Sequence, residues 1–434
     1  MTRPIQALLL GAGSRGYDVF ARWALQHPEQ LQFVAVADPD PAKRQRMMTE
    51  HGIPEHRSFA SWQDALEANL PIQAVVNALP DHLHEASATR VMELGHHQLL
   101  EKPITNDLPG AVRIARAAEA SGKVLMLAYV LRYTPFFSTL HGVVQSGQLG
   151  EVVHFEWSEN VSAIHYSHSF VRGNWSNTQR SSPMILAKCS HDLDQLAWIL
   201  PQKVQRLSSF GSLVHFRSQN APQGAPERCL DGCPAAESCA FHAAKIYLND
   251  YVHWPVNVIS TDLSLQGRTR ALQEGPYGKC VYQTDNDVVD TQVVMFELEG
   301  GATGVLSMHG HSGEEGRSVR IDGTRATLRG VFTDRKQEIW LEPHTFETSY
   351  VTGGHPIPIE APKGTAGMGH GGGDDGVCQA FIEAVRSGSP VPTRQYLESQ
   401  YLAFAIEEAR LQRSLVDMEA FRGRYGLEEP VKSF

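Results

Sequence analysis

Two polar residues, Lys188 and His191, lie three positions apart in the segment SPMILAKCSHDLDQLAWIL, which runs from Ser182 to Leu200. Ser182 can cap a helix and Pro183 suits its first turn, so the whole segment is predicted to be one helix. Its apolar residues form one stripe, and Lys188 and His191 share another face. Such a pair can bind and deprotonate a hydroxyl group in an active site, or it can be the solvated edge of a packed helix. The surrounding elements must decide between these two interpretations.

A glycine-rich turn, GAGSRG, follows the first apolar segment of the chain. This G-x-G-x-x-G pattern stands between a predicted buried strand and a predicted amphipathic helix, as a dinucleotide-binding turn does. The glycines allow a tight turn and a close approach of the backbone to a pyrophosphate, whose charge the helix N-terminus attracts. The predicted cofactor contacts in this turn are Gly11, Gly13, Ser14, Arg15 and Gly16.

A second predicted strand, FVAVAD, ends in Asp38, about 20 residues after the glycines, as expected for a ligand of the ribose 2′-hydroxyl. A carboxylate at this position repels a 2′-phosphate, so the sequence favours NAD over NADP. Arg15 and Arg44 keep NADP as the alternative cofactor. Asp38 could also be no more than a turn residue before Pro39.

Predicted strands and helices alternate up to about residue 130, which is typical of a doubly wound parallel sheet. Ligands of such sheets bind at the carboxyl ends of the strands. Pro80 and His82 fall at the end of the predicted strand AVVNALP. Glu101 and Lys102 fall at the end of the next predicted strand, in HHQLLEKPIT. These four side chains are therefore predicted to face the cofactor.

The segments GAGSRG, VVNALPDHLHEASA and LLEKPIT, at their separations in this chain, resemble the Gfo/Idh/MocA family of nicotinamide-dependent oxidoreductases. The resemblance covers the first domain nearly end to end, and the Glu-Lys-Pro tripeptide is its most specific part. It implies that Lys102 stands near the nicotinamide and the reacting hydroxyl, and that a cis peptide bond precedes Pro103. It further implies that the nicotinamide side is lined by Ala78, Leu79, Pro80 and His82.

After about residue 130 the pattern changes to half-alternating strands separated by glycine turns, such as GEVVHFEWSENV. Such strands suit an antiparallel sheet. We therefore predict an α/β Rossmann domain over residues 1–130 and an α+β domain over residues 131–434. The resemblance implies that the sheet of the second domain is mostly antiparallel and open. The resemblance implies that the second domain binds substrate and joins subunits, so a homodimer or homotetramer is expected.

The second signature of the family is a helix with Asp-x-x-x-His followed by Asp. Aligning HDLD places the family histidine on His191 and the family aspartate on Ala187, so the aspartate is missing and Lys188 follows. We predict that His191 is the general acid and base, because the unperturbed histidine pKa lies nearest neutrality. Lys102 and Lys188 are predicted to orient the hydroxyl, to stabilise developing negative charge and to depress the pKa of His191. Lys188 could instead pair with a surface acid.

The segment HYSHSFVRGNWSN, just before this helix, is rich in aromatic and hydrogen-bonding side chains. Trp175 offers a flat face for a pyranose ring, although a loop tryptophan is often a packing plug, and Arg172 can hold a hydroxyl pair or an anion. In the glycine-rich GHGGGDDG, Asp374 or Asp375 could cap the next helix. The predicted substrate contacts are Arg172, Trp175, Lys188, His191 and His370.

Three cysteines crowd into CLDGCPAAESC and a fourth lies in GPYGKCVY, in a predicted insertion over about residues 217–290. Four thiolates can hold a structural zinc ion in tetrahedral geometry, and such a staple would support a segment with little strand pattern. An iron–sulfur cluster or free thiols are the alternatives. The predicted metal ligands are Cys229, Cys233, Cys239 and Cys280.

Composition limits the kinds of molecule that this protein is expected to bind. The 434 residues carry a formal charge of −10 and show no basic cluster, which argues against nucleic acid or an anionic membrane. No apolar run approaches the length of a membrane span, and the apolar start is predicted to be a strand rather than a signal peptide. A small-molecule ligand and a cytoplasmic location are therefore expected.

The main functional hypothesis is an NAD-dependent oxidoreductase that oxidises a ring hydroxyl of a pyranose or glycoside, with C3 as the expected carbon. The resemblance allows two alternatives. One is a redox glycosidase that uses tightly bound NAD for transient C3 oxidation, elimination and hydrolysis; Arg172 and Lys188 would suit an anionic glycoside such as a sulfoquinovoside. The other is a non-catalytic sensor that keeps the dinucleotide domain, like a transcriptional regulator within the family.

Overall fold

The computed structural model describes residues 3–360, 370–389 and 393–425. The strands near its N-terminus are β1 Ile5–Leu10, β2 Leu31–Ala37, β3 Ser58–Phe59, β4 Ala74–Asn77, β5 His97–Leu100 and β6 Leu125–Leu127. They form a parallel sheet in the order β3-β2-β1-β4-β5-β6. The strand order reverses beside β1, as in dinucleotide-binding folds, so the predicted Rossmann sheet is confirmed.

Helices cover both faces of this sheet: α1 Arg22–Gln26, α2 Pro41–His51, α3 Trp62–Glu67, α4 His84–Glu93 and α5 Leu108–Ser121. Successive side chains of a strand point to opposite faces, so each strand can contribute side chains to the cores on both sides of the sheet. Ala7 and Leu9 of β1 pack in one core with α1 and α2. Leu8 and Leu10 pack in the other core with α3 and α4.

The later strands form a second sheet. They are β7 Val152–Ser162, β8 Val204–Ser212, β9 Thr291–Leu298, β10 Thr303–Ser312, β11 Gly316–Gly323, β12 Ala326–Thr333, β13 Gln337–Pro343, β14 His355–Ile357 and β15 Val416–Asp417. Their order is β14-β13-β12-β11-β7-β10-β9-β8-β15. Neighbours are antiparallel except for β7 and β10, which run parallel. The predicted mostly antiparallel open sheet is therefore confirmed.

One side of the second sheet is covered by helices. The helices of this half are α6 Pro135–Gln145, α7 Ala163–Tyr166, α8 Met184–Ala187, α9 Ser190–Ile199, α10 Ala243–Tyr247, α11 Leu265–Glu274, α12 Gly373–Ser387, α13 Thr393–Gln412 and α14 Met418–Gly423. Residues of α6, α9 and α13 share one apolar core with the inward side chains of β7, such as Trp157.

Helix α12 lies late in the chain but packs on the first sheet. Its residues Val377, Phe381 and Ile382 are buried in the same core as Ala7 and Leu9 of β1. The short segment His370–Gly372, directly before α12, is thereby brought back to the edge where the glycine-rich turn lies. Within the described ranges, no helix is both long and apolar enough to cross a membrane.

The connection between β8 and β9, residues 213–290, is the predicted cysteine-containing insertion. It carries α10 and α11 and has a small apolar core of its own. Cys229 and Tyr247 belong to that core. The insertion therefore rests on few buried apolar side chains compared with the two sheets.

Candidate active site

The carboxyl ends of β1, β4 and β5 meet at one edge of the first sheet, because these strands are direct neighbours. Gly11 follows β1, Ala78 follows β4, and Glu101 and Lys102 follow β5. Gly11 has a φ of +84°, and a Cβ atom there would lie 2.5 Å from the carbonyl oxygen of Ala78. The glycine is therefore required for the close approach of the two strand ends.

The other two glycines of the turn differ in their surroundings. A Cβ atom on Gly16 would overlap the carbonyl oxygen of Gly11, whereas a Cβ atom on Gly13 would meet no atom within 4 Å. Gly16 thus permits close packing of the turn, and Gly13 leaves open space beside the backbone. A helical segment, Ser14–Ala21, begins next to this space. The turn fits a dinucleotide pyrophosphate, which needs open backbone and a helix N-terminus.

Asp38 is held beside this turn by two backbone amides. Ala12 N–H donates to its Oδ2 at 2.8 Å and Asp40 N–H donates to its Oδ1 at 2.9 Å. The Arg44 guanidinium donates to the carbonyl oxygens of Asp38 and Pro39, at 2.7 Å and 3.1 Å. The carboxylate is thus placed to receive a ribose hydroxyl, and Arg44 is engaged by backbone carbonyls.

Arg15 links the glycine-rich turn to α12. Its Nε donates to Glu101 Oε1 at 2.6 Å and its Nη2 donates to Asp374 Oδ1 at 2.8 Å. The second oxygen of Asp374 lies 3.0 Å from Nδ1 of His370, so neither of its oxygens caps α12 as the sequence had suggested. Since both arginines that kept NADP as the alternative are engaged in these contacts, the geometry favours NAD.

Lys102 lies half-buried at the end of β5, and the peptide bond between Lys102 and Pro103 is cis, as the resemblance implied. Its Nζ donates to the carbonyl oxygen of Ala187 at 3.0 Å. Burial lowers the pKa of Lys102, the nearby charge of Lys188 lowers it further, and Glu101 opposes this shift. The ammonium group therefore joins the cofactor edge of the first sheet to the segment that carries His191.

His191 is buried next to this ammonium group. Its ring makes an edge contact with Tyr129, with ring centroids 5.9 Å apart, and its centroid lies 6.1 Å from that of His370. Its Nδ1 is buried and has no hydrogen-bond partner among the described residues. Burial lowers the pKa of His191 well below its ordinary value, and the charge of Lys102 adds to the effect. The imidazole is therefore neutral at neutral pH and has a nitrogen able to accept a proton.

The predicted single helix over residues 182–200 is wrong. It is broken into α8, which ends at Ala187, and α9, which begins at Ser190. The Ser182 hydroxyl donates to the carboxylate of Asp81 at 3.2 Å instead of capping the helix. Because the helix breaks after Ala187, the carbonyl oxygen of this residue accepts from Lys102 and the next side chain turns towards the second sheet.

Lys188 is held by two carboxylates, which differs from the prediction that it orients the hydroxyl group. Its Nζ lies 2.8 Å from an oxygen of Glu315 and 3.2 Å from an oxygen of Glu159. Burial by itself would lower the pKa of Lys188, but Glu159 and Glu315 raise it above its ordinary value. The structure agrees better with the alternative prediction, in which Lys188 forms an ion pair with an acid. One of the two acids, Glu159, is fully buried rather than at the surface.

The ion pairs continue beneath α9. Arg317 lies 2.5 Å from Glu159 and donates to Asp192 at 2.7 Å. The indole N–H of Trp157 also donates to Asp192, at 2.9 Å. Asp192 of the HDLD segment therefore serves packing, and His191 is the residue of that segment that reaches the site.

Sequence reasoning missed the residues that surround Lys188. Glu315 accepts from Nδ1 of His165 at 2.7 Å, and the ring of His165 makes an edge contact with Trp254 at 4.8 Å. Glu159 could have been found, because the alternation of β7 places it on the inward face together with Trp157. Glu315 and Trp254 lie in irregular segments far along the chain, so no periodic pattern points to them.

Two of the predicted substrate contacts, Arg172 and Trp175, do not lie with Lys102 and His191. Arg172 is only 3% exposed and donates to the carbonyl oxygens of Lys279 and Phe241 within the insertion. Trp175 is partly buried against the main core, beside Phe170. Neither placement supports a substrate contact, since one side chain is enclosed by the insertion and the other acts as a packing plug.

Of the residues predicted to line the nicotinamide side, Leu79 is buried, Ala78 is half-buried, and Pro80 and His82 are exposed.

The predicted zinc ion is not supported. In the parts of the chain that the structure describes, no group of three or more His, Cys, Asp or Glu side chains is placed to hold a metal ion.

Comparison with known families identifies the chain. The family model described as an oxidoreductase family with an NAD-binding Rossmann fold matches residues 5–129, and the model of the GFO/IDH/MocA C-terminal domain matches residues 137–329. The chain belongs to the Gfo/Idh/MocA family. It is an NAD-dependent oxidoreductase, and the predicted family and cofactor are confirmed.

Relatives agree with this assignment. The putative oxidoreductase YteT of Bacillus subtilis is 22% identical over 84% of this chain and 85% of its own length. Inositol 2-dehydrogenase 1 of Paenarthrobacter aurescens is 30% identical over 35% of this chain and 44% of its own length. The structure of levoglucosan dehydrogenase with NADH and levoglucosan has a TM-score of 0.69 at 17% identity, and the match covers 96% of this chain and 100% of that one. The structural likeness supports the fold.

Replacement of Lys188 by methionine is expected to lower the free energy of unfolding by about 3–5 kcal/mol, because Glu159 would remain buried with one cation fewer. Denaturant unfolding measures this change. The double variant Lys188→Met, Glu159→Gln should recover part of the loss. Lys336→Met, which removes an exposed pair with Glu338, should cost less than about 1 kcal/mol. Equal losses in Lys188→Met and Lys336→Met would contradict the buried network.

Replacement of Asp38 by alanine is expected to weaken NAD binding about 10- to 100-fold, because a charged hydrogen-bond acceptor for the ribose is lost. The preference for NAD over NADP should fall as well, since the repulsion of a 2′-phosphate disappears. Titration of both cofactors, followed by fluorescence or calorimetry, measures both effects. Asp40→Ala, which removes only the cap of α2, is the control and should keep its NAD affinity.

Proposed function

We propose that this protein is an NAD-dependent dehydrogenase that oxidises a ring hydroxyl of a neutral sugar or polyol, with C3 of a pyranose as the expected position. The observation that carries the proposal is the buried Nδ1 of His191, which lacks a partner among the described residues and lies beside Lys102. Relatives named for the oxidation of inositol and levoglucosan support the substrate class.

Each residue has a chemical role that follows from its environment. Lys102, held by the carbonyl oxygen of Ala187, has further N–H groups that can donate to the hydroxyl oxygen and stabilise its developing negative charge. His191, neutral because it is buried, accepts the hydroxyl proton on its imidazole ring. Bound NAD would accept the hydride from the carbon that bears this hydroxyl. Lys188 acts as a positioning residue that fixes the segment between Ala187 and His191.

A neutral substrate fits the charges better than an anionic one. The expectation of a sulfonated or carboxylated sugar rested on Arg172 and Lys188. Arg172 is enclosed by the insertion, and Lys188 is engaged by Glu159 and Glu315. The exposed face of Trp254, beside His165, offers an apolar surface for a sugar ring.

The variants Lys102→Met and His191→Asn are each expected to lower kcat/KM about 10²- to 10⁴-fold while NAD binding is retained. Matched controls are Lys203→Met and His56→Asn, which alter exposed side chains near the amino ends of β8 and β3. The assay follows NADH absorbance with a panel of neutral sugars, inositols and aryl glycosides, including uronate and sulfonate forms. Wild-type turnover in either site variant would contradict the assignment.

The same panel separates the alternatives. Stoichiometric NADH without release of the aryl group supports the dehydrogenase. Release of the aryl group with only substoichiometric NADH would support the redox glycosidase instead. Neither signal, in a protein that binds NAD tightly, would support the non-catalytic sensor.

We also propose that the uncovered face of the second sheet joins subunits in a homo-oligomer. Phe210 on β8 and Met295 on β9 are 63% and 51% exposed on adjacent strands. The double variant Phe210→Glu, Met295→Glu is expected to lower the molar mass measured by light scattering, because buried glutamates oppose association. Leu411→Glu, at an exposed position of α13, is the control. An unchanged mass in the double variant would place the interface elsewhere.

A further inference from the structure

The insertion between β8 and β9 presents an aromatic side chain beside the candidate active site. Trp254 of the insertion is 42% exposed. Its ring lies nearly perpendicular to the rings of His165 in α7 and His168 just after it, with centroids 4.8 Å and 5.5 Å apart. Two residues later, Val256 is buried in the insertion's own core. Trp254 is therefore held against the segment before α8 instead of filling that core.

His168 anchors the insertion at this point. Its Nδ1 and the hydroxyl group of Tyr247 lie 2.8 Å apart in a hydrogen bond, and its ring stacks on that of Tyr277 with centroids 4.7 Å apart. Arg268 holds the same part of the insertion, since its Nη1 donates to the carbonyl oxygen of Tyr247 at 2.7 Å. The segment that carries Trp254 is thus fixed before any ligand binds, which lowers the entropy cost of binding one.

His165 supplies a polar atom next to the indole ring. Its Nδ1 donates to Glu315, whose two oxygens lie 2.7 Å and 2.8 Å away. Burial lowers the pKa of His165, and the charges of Lys188 and Lys102 lower it further, whereas the carboxylate opposes this shift. In the neutral ring the proton therefore sits on Nδ1, and Nε2 is an acceptor for a hydroxyl group.

The indole ring lies one side chain beyond the charges of the candidate active site. Glu315 contacts Lys188 on one side and His165 on the other. Trp254 in turn contacts His165. The effect of Lys102 on the pKa of His165 shows that the reacting hydroxyl is still close. A sugar ring bound at that hydroxyl can therefore direct a substituent towards the indole ring.

The chemistry of this surface suits a neutral ring. An aromatic face beside a hydrogen-bond acceptor can pack on the C–H face of a sugar or on an aryl group, while the acceptor orients a hydroxyl group. The nearby carboxylate of Glu315 is already engaged by Lys188 and His165, so it does not select a charged ligand.

We propose that Trp254 and His165 form a second subsite, which binds the ring that a glycosidic bond joins to the oxidised ring. This inference rests on the proposed dehydrogenase function, and it names glycosides with a sugar or aryl group as the second ring as the substrate class. The indole face packs on the second ring, and Nε2 of His165 accepts from a hydroxyl group of that ring. The insertion thereby selects the substrate.

The test compares phenyl and methyl glycosides of glucose, galactose and mannose, in both anomers, by NAD reduction in the full-length protein. A methyl glycoside has the same glycosidic oxygen but no second ring. We expect kcat/KM to be about 10- to 100-fold higher for the preferred phenyl glycoside than for its methyl counterpart. The difference should lie mainly in KM, because the second ring is remote from the reacting carbon. No preference for the phenyl glycoside would overturn the proposal.

Variants of Trp254 locate the subsite. Trp254→Ala is expected to raise KM for the phenyl glycoside and to leave the methyl glycoside unchanged, whereas Trp254→Phe should keep most of the preference. Leu265→Ala, at an exposed apolar position of α11 in the same insertion, is the control. Equal losses on both glycosides in Trp254→Ala would show a structural role and contradict the subsite.

His165 is tested with disaccharides. His165→Phe is expected to raise KM for a disaccharide more than for a phenyl glycoside, because the phenyl ring has no hydroxyl group to donate to Nε2. Equal effects on both substrates would remove His165 from the subsite.

Binding separates this inference from the proposed function. If the protein reduces no NAD with any of these sugars, the dehydrogenase function fails. Calorimetry of the NAD-bound protein with the same phenyl and methyl glycosides then tests the subsite alone. Tighter binding of a phenyl glycoside that is lost in Trp254→Ala supports the subsite, and equal binding of both glycosides overturns it.

Discussion

Glu159 and Asp192 lie in the protein interior with no exposed surface, and both share the guanidinium of Arg317. Buried carboxylates are tolerated only when cations neutralise them with good geometry. Lys188 completes the neutralisation from the break between α8 and α9, and it recruits Glu315 as well. The position of the segment that presents His191 is thus set by the requirement that these charges be paired.

The same arrangement controls the chemistry of His191. Because Lys188 is held by two acids, the charge that acts on the imidazole comes chiefly from Lys102, on top of the effect of burial. A neutral imidazole beside a cation can take up a proton as a hydroxyl ionises, while the cation stabilises the oxygen. The aspartate that the family places at Ala187 is not needed for this pairing, since Glu159 of β7 and Glu315, just before β11, supply negative charge.

A second set of ion pairs joins α12 to the carboxyl edge of the first sheet, where the glycine-rich turn lies. Arg15 in the glycine-rich turn contacts Glu101 after β5 and Asp374 in α12. Helix α12 is itself fixed to the first sheet by buried apolar residues such as Phe381. A late segment of the chain therefore supports the first domain, and it brings His370 within reach of His191.

The resemblance of the sequence to the family predicted Lys102 and His191 as site residues. The residues by themselves determined the two sheets, the glycine-rich turn and Asp38. These features depend on local patterns: strand and helix periodicity, a backbone that only glycine permits, and residues fixed at strand ends. Only the tertiary structure decided the partners of the buried charges. Lys188, Arg172 and the four cysteines meet groups that lie far away in the chain, and a burial cost that depends on such partners cannot be read from neighbouring residues.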